Sequence, residues 1–183
     1  MKKRGLIVID LQNEYLPTGK LPLTGIDAAV ANAAAVIAHA RETGVPVIHI
    51  RHESTSADAP IFVPGTDNVA IQPAVAPRGG EAVIVKHHVN AFRETDLERQ
   101  LDARGIEELV IVGAMSHMCI DACARAAADK GYAVTVLHDA CATLDLVFGG
   151  VTVPAGQVHA AAMASLGFGY AGVKAMSDYL TGV

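Results

Sequence analysis

Six short apolar runs recur along the chain, each bounded by turn residues: "GLIVID" (5–10), "VPVIHIR" (45–51), "EAVIVK" (81–86), "ELVIVG" (108–113), "YAVTVLHDA" (132–140) and "YAGVKAM" (170–176). Most are rich in Val and Ile and do not alternate. A strand with one wet face alternates apolar and polar residues; a strand covered on both faces has no reason to, and parallel sheets are covered on both faces. Helical patterns lie between the runs. Residues 26–43 stop at Gly44 and Pro46, residues 94–104 at Gly105 and residues 119–130 at Gly131, while 154–166 open with Pro154. The rhythm β-α-β-loop-β-α-β-α-β-α-β predicts an α/β fold, a doubly wound (Rossmann-like) three-layer sandwich with a mainly parallel six-stranded sheet. No repeat or linker interrupts it, so residues 1–183 read as one domain.

Charge and composition then narrow the partners. Apolar residues make up 51% and charged residues 18%, with a net charge of −5. No Lys/Arg cluster follows "MKKR", and aromatics are only 4%, so neither a phosphate-binding patch nor a base-stacking platform is present and nucleic acid is not expected as a partner. "KKR" before "GLIVID" has the look of a leader, but Asp10, Gln12, Asn13 and Glu14 break the apolar run at once. No run reaches the ~20 apolar residues of a membrane span. Cys119, Cys123 and Cys141 are odd in number and lack paired CxxC spacing, as expected for free thiols in the cytoplasm.

Open parallel sheets bind ligands beyond the carboxyl ends of their strands. The first run ends at Asp10, the third at Lys86, and the fourth enters "GAMSHMCID" (113–121), where Cys119 stands at a strand-to-helix turn. Taken singly, Asp10 reads equally as a turn cap, Lys86 as a solvent-facing strand end and Cys119 as a buried helix start. Together they make a mechanism. A helix N-terminus and an ammonium favour the thiolate, which is the nucleophile. Asp10 can accept the thiol proton and return it to a leaving amine. Backbone N–H groups of the turn around Met115–Cys119 can hold a tetrahedral oxyanion. The chemistry is acyl transfer to sulfur followed by hydrolysis.

The segments "VIDLQNEY" (8–15), "VKHHVNAF" (85–92), "VGAMSHMCIDACARAAADKGYAVTVLHDACAT" (112–143) and "GQVHAAAMASL" (156–166), in that order, resemble the isochorismatase-like cysteine hydrolase superfamily, which includes nicotinamidases, N-carbamoylsarcosine amidohydrolases and ureidoacrylate amidohydrolases. The resemblance implies the same triad, Asp10, Lys86 and Cys119. It also implies a cis peptide between Ala114 and Met115, an oxyanion hole from the N–H groups of Met115 and Cys119, and a homodimer or homotetramer. It suggests substrate contacts from Gln12, Phe92, Ser116 and His117. For these the competing readings are a turn role, plain packing, a mild Ser-for-Thr departure and an exposed turn histidine. Cys123, one helical turn beyond Cys119, reads as packing. The family's metal-binding nicotinamidases carry an Asp-x-His…His set after strand two. Here "HIRHESTSADAP" supplies His49 and His52 without that pattern, so no metal or other cofactor is expected.

The long segment 52–80 reads as a binding loop or a subunit contact, and 144–153, with Leu146, Val147 and Phe148, as a partly apolar substrate wall. The reading is a hydrolase cleaving an amide or ureido C–N bond of a small molecule through a thioester. Its alternative is a non-catalytic binding or scaffold protein of the same fold. A receiver-like signalling domain would need an acidic pair after strand one and a Lys after strand five, and a nucleotide-binding module a glycine-rich phosphate loop; neither pattern is here.

Overall fold

The computed structural model describes residues 2–182. Six parallel strands form one sheet: β1 (Arg4–Ile9), β2 (Val47–His52), β3 (Ala82–Lys86), β4 (Glu108–Ala114), β5 (Ala133–Ala142) and β8 (Gly172–Lys174), in the spatial order β3-β2-β1-β4-β5-β8. The two central strands carry the most apolar runs. β1 and β4 are buried from their second residue to their last.

Alternate residues of these strands feed two cores. Leu6, Val8, Val110 and Val112 face α1 (Ile26–Thr43). Ile7, Ile9, Leu109 and Ile111 face α2 (Leu97–Ala103), α3 (Asp121–Asp129) and α4 (Ala155–Gly169). Helices on both faces are what the continuous apolar runs demand. α1 ends as the sequence predicts. Gly44 takes the left-handed conformation, φ +71°, and the N–H of Val45 returns to the carbonyl of Ala40. No helix among the described residues is long and apolar enough to cross a membrane.

The chain departs from expectation at its C-terminal third. The run 170–176 supplies only the three-residue edge strand β8 and then enters α5 (Met176–Thr181). Residues 146–153 form an antiparallel hairpin, β6 (Leu146–Phe148) with β7 (Val151–Val153), around Gly149 and Gly150, both at positive φ. Gly-Gly between apolar triplets is a hairpin signal in its own right, because two left-handed residues match the twist of the flanking strands.

Winding changes direction between β1 and β4, and one glycine lets the two strands close up there. Gly113 has φ +132°, and a Cβ on it would lie 2.0 Å from the carbonyl oxygen of Ile9. No other residue allows that approach. It brings the end of β1, with Asp10, against the turn that leaves β4.

Candidate active site

Asp10 follows β1 at φ +52°, a conformation that Asp tolerates better than most residues. It is fully buried. Lys86 is the last residue of β3, the edge strand, with β2 lying between it and β1. The gap is two strand spacings, ~9–10 Å, and only a long stem laid over the end of β2 can cross it. The ammonium of Lys86 arrives 2.8 Å from Asp10 Oδ2 and donates to Cys119 Sγ at 3.2 Å. It also contacts His52 Nδ1 at 3.0 Å and the His88 carbonyl at 3.1 Å.

The turn that carries Cys119 differs from the expected helix start. The Ala114–Met115 peptide is cis, and Ser116–Ile120 form one π-helical turn before α3 begins. Of three successive amides, those of Met118 and Ile120 return to the Met115 carbonyl at 3.0 and 3.2 Å. Cys119, between them, is only 6% exposed, and that exposure opens onto a cavity of about 320 Å³.

Burial corrects the expected acidity of the thiol. It pushes Cys119 well above the usual thiol range and the Asp10 carboxylate adds to the rise, while Lys86 opposes it. Burial likewise raises Asp10 against the pull of Lys86. Burial alone would discharge Lys86, but Asp10 and Cys119 hold its affinity for the proton above the usual ammonium value. The resting site is therefore a charged Lys86 beside a neutral thiol and a carboxyl group whose affinity for a proton is raised. Cys123 and Cys141, both buried, are each pushed up to about 12, burial being the main cause.

Much of the cavity wall comes from the long loop that the sequence marks as a binding loop. Residues 54–62 of the long loop supply Ser54, Thr55, Ala59, Pro60, Ile61 and Phe62, joined by Tyr15, Leu21, His52, His87, Val89, Met115 and Met118. Buried Glu14 fixes the aromatic wall, its Oε2 accepting the N–H of Phe62 at 3.0 Å, and the rings of Tyr15 and Phe62 meet edge-on at 5.4 Å.

Four expected substrate contacts are not on this wall. Gln12 is buried as a clamp: its amide donates to the carbonyls of His52 and Val69 and accepts the N–H of His52, which ties β2 to the long loop. Phe92 stacks on Tyr132 at 6.2 Å and does not line the cavity. Ser116 is buried, donating to the Ala142 carbonyl and bonded to His159 Nδ1. His117 pairs with Thr143 and lines a separate groove between the β6–β7 hairpin and α4. Leu146 and Phe148 line that same groove. Of the two histidines of β2, His49 binds Glu81 at 3.0 Å and His52 binds Lys86. Among the described residues no group of three or more His, Cys, Asp or Glu side chains is placed to hold a metal ion.

The chain matches known proteins along nearly its whole length. The model of the isochorismatase domain matches residues 4–170. An uncharacterized isochorismatase family protein of Bacillus subtilis is 47% identical over 96% of this chain and 97% of its own. The maleamate amidohydrolase of Pseudomonas putida is 34% identical over 75% of this chain and 71% of its own. A crystal structure from Oleispira antarctica, named for the isochorismatase hydrolases, superposes with a TM-score of 0.95 at 51% identity, covering 98% of this chain and 97% of that one. Matched from β1 to the end of α4, and by a fold that carries the same strand order to its switch point, the chain belongs to the isochorismatase family of hydrolases.

Proposed function

We propose that the protein hydrolyses a C–N bond, in an amide or ureido group of a small molecule, through a thioester on Cys119. One observation carries this reading: at the floor of the cavity a single ammonium touches both a buried carboxylate, at 2.8 Å, and the only thiol that faces the cavity, at 3.2 Å. The kinship with a maleamate amidohydrolase supports it.

As Sγ bonds to the carbonyl carbon, the thiol proton passes to Asp10, whose raised affinity suits it to accept. The N–H groups of Met115 and Cys119 hold the oxyanion. Collapse breaks the C–N bond, and Asp10 gives its proton to the departing nitrogen. Water then attacks the thioester carbonyl, losing a proton to Asp10, and the acid leaves as that proton returns to sulfur. Lys86 stays charged throughout and stabilises whichever of the carboxylate and the thiolate is the anion. No metal or cofactor takes part. The test is an acid-quenched single turnover read by intact mass. An acyl adduct on Cys119, absent from Cys119→Ala and unaffected by chelators, is the expected result; turnover by Cys119→Ala removes the mechanism.

Three buried free thiols suit a reducing compartment, and we place the reaction in the cytoplasm. We propose, too, a homodimer or homotetramer. Val147, Phe148, Val151 and Phe168 are exposed by 71%, 86%, 64% and 95%, an apolar surface of the kind that copies of a chain cover. Sedimentation of Phe148→Asp as a smaller species than wild type is the expected outcome.

A further inference from the structure

The cavity beside Cys119 has room for about ten water-sized groups. Its lining contains no Asp, Glu, Lys or Arg. Lys86, the nearest fixed cation, is buried behind it and committed to Asp10. A charged substituent entering here would give up part of its water and meet no opposite charge on the lining. The principal walls are Tyr15, Leu21, Ile61, Phe62, Val89 and Met118.

One polar wall group is fixed in both place and protonation. The ammonium of Lys86 can only donate, so His52 Nδ1, 3.0 Å away, must accept. The ring's proton then sits on Nε2. Burial, with Lys86, His87 and His88 adding to it, holds the pKa of His52 down to about 4, so the ring is neutral at ordinary pH. Gln12 grips the backbone of His52 from both sides, and Phe62 packs edge-on to the ring at 4.9 Å. His52 thus presents the cavity with one immobile, uncharged N–H donor next to the nucleophile. Nothing in the hydrolytic steps above uses it.

We infer that the site is specific for an uncharged carboxamide whose acyl group is compact and apolar but carries one neutral acceptor, and that His52 Nε2–H is the specificity-determining donor to that acceptor. The inference rests on the reading of Cys119 as the nucleophile of an amide hydrolase.

Three amides of nearly equal size separate the possibilities: 4-oxopentanamide, with a neutral acceptor; pentanamide, with none; and succinamate, with a carboxylate in its place. kcat/KM is expected to fall in that order, by about tenfold or more between the first and the last. His52→Phe is expected to bring the ratio of 4-oxopentanamide to pentanamide close to one. His52→Gln, which keeps a donor, is expected to retain part of it. Ratios within one variant cancel any general damage to Lys86. Succinamate turning over fastest, with an acyl adduct on Cys119, overturns the inference and leaves C–N hydrolysis standing. An unchanged ratio in His52→Phe overturns the role of His52. Absence of a Cys119 adduct with all three amides removes the underlying reading and this inference together.

Discussion

β3 is bracketed by two ionic clusters, one partly and one fully buried, that differ in how their carboxylates are satisfied. Glu81, just before the strand, accepts from Arg41 Nε at 2.7 Å, Arg41 NH2 at 2.9 Å, His49 Nε2 at 3.0 Å and the Arg78 N–H at 2.8 Å. Those bonds, Arg41 first among them, pull its pKa down to about 2. Asp10, met by Lys86 from the other end of the strand, has that one ammonium against Oδ2 and no well-aligned hydrogen bond to either oxygen among the described residues. Its proton affinity rises instead of falling. A carboxylate surrounded by donors is a fastening; a carboxylate stripped of them is a base. The two histidines of β2 divide between the clusters, His49 bound to Glu81 and His52 to Lys86 at the cavity wall.

The largest effects should come from the unsatisfied cluster. Cys119→Ala is expected to cut kcat by at least about 10⁴-fold, as loss of a nucleophile does, with little change in melting temperature because alanine fits the small apolar site. Asp10→Asn keeps the shape and tolerates the positive φ, but cannot take a proton. A fall of about 10²–10⁴ in kcat is expected, and wild-type turnover would end its role as the base. Lys86→Met leaves Asp10 buried and unpaired, so both kcat and stability should suffer, the latter by about 3–5 kcal/mol in denaturant melts.

The resting thiol offers a subtler contrast. Burial and Asp10 raise its pKa. Alkylation of Cys119 by iodoacetamide, followed by peptide mapping, should therefore be slow at pH 7 and gain speed only on the alkaline side of the usual thiol value of about 8.5. Fast labelling at pH 6 would mean that Lys86 outweighs both, and that attack needs no base.

Glu81→Gln should do the opposite of Asp10→Asn: stability falls while kcat/KM holds. The folded pKa lies below the unfolded value, so the contribution is complete above about pH 4.5 and is lost as pH falls toward 2. Its size is on the order of 1–2 kcal/mol once solvent screening is allowed for. Wild type should lose that much more stability than Glu81→Gln between pH 4.5 and 2 in chemical melts. Equal slopes for the two proteins would make Glu81 a bystander.

The sequence exposed the unsatisfied cluster more clearly than the satisfied one. Asp10, Lys86 and Cys119 were legible because strand ends are legible: Asp10 and Lys86 close apolar runs, Cys119 stands in the turn that follows one, and the topology of a parallel sheet gathers those ends at one edge. The Arg41–Glu81–His49 cluster joins a helix end, a loop and a strand interior, and no local pattern links them. The long loop was legible as a binding segment from its length, but not which of its residues form the wall. Phe62 lies inside a loop without periodicity and reaches the site only because Glu14 captures its N–H. Phe92 has the better local claim, being six residues past Lys86, yet the chain turns there toward Tyr132. Acidity was misjudged because a sequence shows which charges are near a thiol in the chain and not how little water remains around it. The Gly149–Gly150 hairpin, by contrast, was written plainly enough, and only its apolar flanks disguised it as wall.

The smallest effect tests whether satisfied groups close to the chemistry still act as fastenings. Ser116 lies three residues from Cys119, and its hydroxyl donates to the Ala142 carbonyl at 3.2 Å. Its one proton so used, the oxygen must accept from His159 Nδ1–H at 2.8 Å. It is fully buried and shares no surface with the cavity. By the logic of Glu81, Ser116→Ala should cost about 1–2 kcal/mol, the usual loss when a buried partner is left without its bond, or a melting temperature lower by a few degrees. The π turn it fastens would loosen slightly, and kcat should fall a few-fold with KM nearly unchanged. A hundredfold fall in kcat at an unaltered melting temperature would mean that the hydroxyl meets the reacting atoms after all, and that hydrogen-bond satisfaction does not divide fastenings from catalytic groups in this site.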